Sequence, residues 1–374
     1  MKYRFSLQHI KIIVFHFMQK EILELLGLNI LCFLLIYRMP CIVTVGGFYG
    51  DEGKGKIVAY LSIRDNYDIA ARGGAGPNAG HTFVQNNKEF KVRMLPSAVL
   101  NKDTRLLIGA GVLIEPNILL KEIETFNTTD RTFVDFQCGV IEKIHQDRDN
   151  NSDHLKKLIS TTGTGTGPAN ADRALRSLKL AKDFPEIALF LEDVSNSINH
   201  SIDNKEKVLI EGTQGTFLSL FHGTYPFVTS KDVSASAICS DVGVGPKKVD
   251  EVLIVFKSYV TRVGEGPLNS EISAEQAKER NWLEFGSVTG RQRRSAPFDY
   301  DLAKKAIRIN SATHVALTKL DIVFPESKGI TDFSKLPSKA KEFVNNIESE
   351  TGLPVTIIGT GAEIMDTIDR RNSK

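Results

Sequence analysis

A short apolar run, Cys41-Ile42-Val43-Thr44-Val45, leads into Gly46-Gly47-Phe48-Tyr49-Gly50-Asp51-Glu52-Gly53-Lys54-Gly55-Lys56, and then Ile57-Val58-Ala59-Tyr60-Leu61 follows. The first run reads as a buried strand and the last as the start of a helix. Strand, glycine-rich turn and helix is the layout that cradles phosphates. Glycines let backbone N–H groups approach the anion, the helix N-terminus adds a positive dipole end, and lysines add full charge. The turn is close to a P-loop but departs from it. From Gly47 to Gly53-Lys54 it is one residue longer, and Gly55 stands where Ser or Thr would hold magnesium. The Asp51-Glu52 pair is unexpected in an anion-binding turn. A carboxylate belongs there if it holds a metal or moves a proton, and Asp51 is a hard oxygen ligand that suits magnesium. The alternative is a purely structural turn.

Similar apolar runs recur at Leu106–Ile108, Val208–Ile210, Val252–Phe256, Val315–Leu317 and Val355–Ile358. Continuous apolar runs are expected of parallel strands buried on both faces. Helices are predicted over Asp299–Asn310, capped by Asp299, and over Pro337–Thr351, closed by Gly352 and Pro354. The alternation predicts an α/β fold: a mostly parallel central sheet flanked by helices, P-loop-NTPase-like, in a single elaborated domain.

The chain has 374 residues, 41% hydrophobic and 25% charged, as in ordinary globular proteins. A net charge of +2 without a basic stripe gives no case for nucleic acid. The four cysteines, Cys32, Cys41, Cys138 and Cys239, form no CxxC pair, which fits a reducing cytoplasm rather than a disulfide framework or zinc site. Residues 1–38 differ from the rest. Ile22–Tyr37 is largely apolar, but shorter than the ~20 apolar residues a membrane helix needs. We expect Met39 to be the true start and residues 39–374 to form the functional domain, with no membrane partner.

In parallel sheets ligands bind beyond the carboxyl ends of the strands. The loops there are Gly46–Lys56, Gly212-Thr213-Gln214-Gly215, Lys319-Leu320-Asp321 and Gly359-Thr360-Gly361. Asp321 could accept N1–H and the exocyclic amino group of guanine, which adenine cannot offer; a helix-capping Asp is the alternative. Arg72-Gly73-Gly74-Ala75-Gly76-Pro77-Asn78-Ala79-Gly80-His81-Thr82 presents Asn78 and His81. His81 could donate to charge developing on a transferred phosphoryl group, or serve only in structural bonding. Val288-Thr289-Gly290-Arg291-Gln292-Arg293-Arg294 suits a loop that clamps a carboxylate or phosphate, or a solvated basic turn. Ser160–Pro168, rich in Thr and Gly, reads as a second anion site or a linker.

Taken together these motifs resemble the adenylosuccinate synthetase family from about Met39 onward. Gly50–Lys56, Asn78-Ala79-Gly80-His81-Thr82, Glu211–Gly215 and His222–Thr229 match most closely. The chain is similar to the short, archaeal-type form. The resemblance implies a C–N ligase that joins L-aspartate to IMP with GTP and Mg2+, the first committed step from IMP to AMP. It implies Asp51 as base on N1 of IMP and His81 as hydrogen-bond donor to the phosphoryl group or O6. The Asp51 carboxylate and the Gly80 carbonyl would hold magnesium. GTP would meet Gly50, Glu52, Gly53, Lys54, Gly55, Lys56, Arg293, Lys319, Leu320, Asp321, Gly359, Thr360 and Gly361. IMP would meet Asp51, Lys54, Asn78, Ala79, Gly80, His81, Thr162, Gln214, Thr229 and Arg291, with Arg176 reaching over from the neighbouring subunit of a homodimer. Aspartate would meet Val288, Thr289, Gly290, Arg291 and Arg293. Val288 and Gln292 depart from the longer members, which carry threonine and arginine there. Two rival readings are a GTP-binding switch, which would not need Asn78–His81 or the arginine loop, and a paralogue that binds nucleotide without catalysis.

Overall fold

The computed structural model describes residues 41–286 and 290–371. Residues 1–38, expected to be an extension, lie outside that range, as do Val288 and Thr289. Ten strands form one sheet: β1 Cys41–Gly46, β2 Ile69–Arg72, β3 Arg105–Ile108, β4 Thr132–Asp135, β5 Leu191–Glu192, β6 Val208–Glu211, β7 Glu251–Lys257, β8 His314–Thr318, β9 Val355–Gly359 and β10 Thr367–Asp369. Their order is β10-β9-β8-β7-β1-β6-β2-β3-β4-β5. All neighbours are parallel except β9 and β10. The mostly parallel α/β fold expected from the sequence is the one observed.

Each predicted strand is present. Alternate residues face two cores, as a two-residue side-chain period requires. Val43, Val45, Ile210, Ile254 and Phe256 join one core, while Ile42, Leu209, Leu253 and Val255 join the other. Strands β2, β4, β5 and β10 were not read in advance. They are short, and end in or contain charged residues that the fold buries or pairs, such as Arg72 at 1% exposure.

Helix α1, Lys54–Asp65, follows the glycine-rich turn directly. Helix α2, Tyr300–Asn310, is capped as predicted: the Asp299 side chain accepts from Leu302 N at 2.8 Å. Helix α3, Ser338–Thr351, begins after Pro337 and ends at Gly352, whose φ is 73°. No helix among the described residues is long and apolar enough to cross a membrane.

The order places β1 where the chain reverses its direction of travel across the sheet. From β1 the chain builds toward β5, returns to β6 beside β1, then builds outward from β7 on the other side. A crevice opens at such a switch point, at the carboxyl ends of the strands. The loops after β1, β2, β6, β7, β8 and β9 all reach that edge.

Candidate functional site

The glycine-rich turn is held in shape by its own acid. Glu52 Oε1 accepts from Phe48 N at 2.9 Å and Gly50 N at 2.8 Å, and Lys54 Nζ lies 3.1 Å from Glu52 Oε2. Glu52 is 1% exposed, so its carboxylate is committed within the turn. Gly53 has φ 78° and precedes α1, a left-handed conformation that favours glycine. A Cβ on Gly47 would fall 2.0 Å from the Phe256 ring, so only glycine lets the turn pass β7. Lys54 Nζ also donates to Gln214 O. Lys54 therefore ties the turn to the loop after β6 and does not line the cavity. Lys56 Nζ donates to Gly361 O at 2.7 Å and Asp366 O at 2.8 Å, tying α1 to the loop after β9. Burial pulls its ammonium down to about 8, against the pull of nearby Asp366 and Asp321.

His81 opens a β-hairpin, His81–Gln85 with Lys88–Val92, and Nδ1 of its ring faces Glu211 Oε1 at the end of β6. The same nitrogen lies 2.9 Å from Arg72 Nη1 and 3.2 Å from Ser97 Oγ, so Glu211 is the acceptor for a proton on Nδ1 and Arg72 the donor when Nδ1 is bare. Glu211 is fully buried and also accepts from Ser97 N at 2.6 Å and Ser97 Oγ at 2.7 Å, with Arg72 Nη1 3.2 Å away. Burial works against its charge, yet His81 and Arg72 hold its carboxyl down at about 2. Burial, with Arg72 alongside, pulls the His81 imidazole down to about 4, so the ring is neutral at pH 7. Glu211 was read only as part of a motif. Its signal was an acid ending a buried strand.

Asp51 lies opposite, 15% exposed, with Arg293 Nε 3.1 Å from its Oδ2 and Thr261 Oγ1 donating at 3.4 Å. Burial raises its carboxyl above the ordinary value, opposed by Arg293 and Lys257. Arg293 arrives there because Arg293–Ala296 pairs antiparallel with Val260–Val263, the strand that leaves β7. The loop after β7 was missed in the sequence. The end of β7 supplies Lys257, the loop supplies Tyr259, and the strand Val260–Val263 supplies Thr261 and Arg262; the signal was a lysine and an arginine flanking a strand end.

A cavity of about 360 Å³ joins these groups. Gly50, Asp51, Asn78, Ala79, Gly80, His81, Thr162, Gln214, Thr229, Arg291 and Arg293 all line it. Gln214 Nε2 donates to Asn78 Oδ1 at 3.2 Å and Asn78 Nδ2 to Thr229 Oγ1 at 3.3 Å, so one amide chain spans three separate loops. Thr162, Thr164 and Thr166 hydroxyls form a ladder at 3.1 and 2.9 Å on another wall. Leu155 and Ile159, which no motif announced, and Phe227 of the His222–Thr229 motif add an apolar wall. Arg262, buried, donates to Phe227 O and Pro267 O at 2.9 Å and packs 4.5 Å from the Tyr49 ring centroid.

Lys319, Leu320, Asp321, Gly359, Thr360 and Gly361 do not line that cavity. They lie across the phosphate turn, after β8 and β9, where Thr318 Oγ1 donates to Glu52 O at 2.6 Å. Asp321 Oδ1 is buried and without a hydrogen-bond partner among the described residues. Burial raises its carboxyl, countered by Lys319. Arg176 caps the helix Thr166–Leu175 at φ 64° and is exposed, away from the cavity wall. Gly290 is exposed and does not line the cavity either.

A mostly parallel sheet with a phosphate turn at its switch point, and a cavity carrying a half-buried acid and a histidine, defines a nucleotide-using α/β enzyme of the phosphate-loop class. A sequence model of the adenylosuccinate synthetase family matches residues 43–184 and 178–328. The chain is 54% identical over 340 residues to the adenylosuccinate synthetase of Methanocaldococcus jannaschii, covering 90% of this chain and 99% of that one. It is 52% identical to that of Methanococcus aeolicus over 89% of this chain and 100% of that one. A solved structure of fully ligated adenylosuccinate synthetase from Plasmodium falciparum superposes with a TM-score of 0.82 at 26% identity, covering 88% of this chain and 99% of that one. The chain belongs to the adenylosuccinate synthetase family.

Proposed function

We propose that the chain joins L-aspartate to IMP at the expense of GTP, giving adenylosuccinate, GDP and phosphate. The observation that carries this reading is the meeting of Asp51, His81 and the Gln214–Asn78–Thr229 amide chain on one cavity, across the phosphate turn from an unpartnered buried acceptor, Asp321 Oδ1. The amide chain suits the edge of a purine. Asp321 suits the N1–H and amino donors of guanine, which would satisfy an acceptor that otherwise pays full desolvation. Lys319 would cover the ring, with Leu320 and Gly359-Thr360-Gly361 closing that side.

In the reaction, Asp51 takes the proton from N1 of IMP. The electron pair passes to O6, which attacks the γ-phosphorus of GTP, and the bond to the β–γ bridging oxygen breaks. As charge builds on the phosphoryl oxygens, the His81 ring is favoured as imidazolium, with Glu211 behind Nδ1, and Nε2 faces the charge. The aspartate amine then attacks C6 and phosphate leaves with O6. A carboxyl raised by burial, as in Asp51, is a stronger base than a solvated one. The Asp51 carboxylate and the Gly80 carbonyl are hard oxygens on one cavity, a donor set that fits Mg2+. Bound there, Mg2+ would neutralise charge on the phosphate oxygens. Arg291 and Arg293, with Val288, Thr289 and Gly290, would take the aspartate carboxylates.

We further read residues 39–374 as the functional domain, the cytoplasm as its location, and a homodimer as the active form. Arg176, exposed next to Leu175 at 76% exposure, would serve the neighbouring subunit's IMP site. The test is a coupled assay with GTP, IMP and aspartate. Adenylosuccinate formation that needs all three supports the proposal; GTP hydrolysis indifferent to IMP and aspartate overturns it. Mixing Arg176→Ala with Asp51→Asn protein should restore activity, because one hybrid site carries neither change. No recovery with hybrid dimers formed would rule out a shared site.

A further inference from the structure

Arg293 is held from two sides. Its Nη1 donates to Glu284 Oε2, its backbone N donates to Glu284 O at 2.9 Å, and its Nε lies 3.1 Å from Asp51 Oδ2. Glu284 is the hub of the group. Its Oε2 also accepts from Lys257 Nζ at 3.1 Å, and its Oε1 accepts from the Tyr259 hydroxyl. Lys257 is 1% exposed and donates to Thr261 Oγ1 as well. Tyr259 is fixed by stacking on Trp282, centroids 4.6 Å apart and 10° from parallel. Lys257 and Arg293 therefore lie between two carboxylates, Glu284 and Asp51, with Lys319 a third cation that acts on Glu284. Without Glu284, Lys257 and Arg293 would have Asp51 as their nearest anion, and Arg293 would turn its full fork onto it. With Glu284 in place, Arg293 Nε is only in ion-pair contact with Asp51 and has no hydrogen-bond partner among the described residues, while the side chain lines the cavity.

We propose that Glu284 is a positioning residue for the aspartate substrate, holding Arg293 between itself and Asp51 so that its remaining N–H edge meets a substrate carboxylate. This rests on the ligase reading above. Glu284 touches no substrate. It acts through Arg293, and through the charge balance that stops Arg293 from closing over Asp51.

The experiment is steady-state kinetics on the full chain, with GTP and IMP affinities measured separately by calorimetry. Wild type must first make adenylosuccinate; if it does not, the ligase reading fails whatever Glu284 does. Glu284→Gln should raise the KM for aspartate by about tenfold and lower kcat, a loss on the scale of one charged hydrogen bond. Affinities for GTP and IMP should stay within about twofold, below the scale of a lost contact. The double variant Glu284→Gln/Lys257→Met removes one charge of each sign and should recover most of the aspartate KM. An unchanged aspartate KM in Glu284→Gln overturns the proposal. So does a parallel loss of GTP and IMP affinity, or a double variant worse than the single. If Glu284→Gln does not fold, Tyr259→Phe carries the test, since it removes one bond to Glu284 without changing charge. A rise in the aspartate KM alone, by about threefold, supports the proposal; no change, or an equal change for all three substrates, overturns it.

Discussion

The two sides of the phosphate turn are built on different principles. On the cavity side, the acid–base and amide groups already have protein partners: His81 with Glu211, Asp51 in ion-pair contact with Arg293, Asn78 with Gln214 and Thr229; in that ion pair Arg293 Nε is left without a hydrogen bond among the described residues. On the side of β8 and β9, Asp321 Oδ1 is buried without one. The first side is preorganised, so its groups need not be ordered when substrate arrives. The second leaves a buried acceptor whose desolvation a ligand's donors would offset, which is how a site rejects a ligand lacking them. Specificity for the nucleotide and readiness for chemistry are thus separated by one turn.

The sharpest way to break this contrast is Asp51→Asn. Turnover should fall by about 10³-fold or more, within the range for losing a general base, while calorimetric affinity for IMP and GTP changes little. Because a protonated Asp51 cannot take the N1 proton, wild-type kcat/KM should decline on the acid side as that carboxylate is titrated. A flat acid limb would remove Asp51 as the base. Glu211→Gln should come next, lowering kcat by about 10²-fold through loss of the Nδ1–H arrangement of His81. It should also cost about 3–5 kcal/mol of stability, read by denaturant unfolding, because Arg72 is left with an uncompensated buried charge. The pH sign follows from the depressed carboxyl. Its stabilisation is full above the ordinary value of 4.5 and is lost as pH falls toward about 2, so wild type and variant should converge in stability in acid.

Asp321→Asn tests the other side. It should weaken GTP by about 10–100-fold and relax discrimination against other purine triphosphates, with the KM for IMP unchanged. Unaltered discrimination in competition assays would discard the guanine-reading role. The smallest effect is expected from Thr318→Val, which cuts the bond between β8 and Glu52 O that couples the two sides. It should cost about 1 kcal/mol in stability and a few-fold in the KM for GTP. An effect on IMP as large as on GTP would show that the two sides are not separable.

Much of this was legible before the structure. Apolar runs marked six of the ten strands, because a strand buried on both faces cannot afford polar residues. Gly46–Lys56 marked the phosphate turn, and Asp299 and Gly352 marked helix ends through local hydrogen bonding and φ. The four unread strands are short or carry charges such as Arg72, whose burial depends on Glu211, a residue 139 positions later in the chain. The turn-shaping contacts of the Glu52 side chain were not legible, because a fold-back of the turn brings its donors, Phe48 N and Gly50 N, to the carboxylate. Lys54 and Lys56 read as phosphate ligands; the fold gives both of them backbone carbonyls.

By itself the sequence determined the strand–turn–helix that can bind phosphate, the α/β class, and the acid and histidine that chemistry requires. Those features rest on local geometry and short-range patterning. The tertiary structure decided which of these residues meet: that Glu211 stands behind His81, that the strand leaving β7 brings Lys257 and Thr261 to Asp51, and that Glu284 holds Arg293 there. Such pairings join residues up to a few hundred positions apart, and their energies depend on burial and charge balance that only the folded sheet creates.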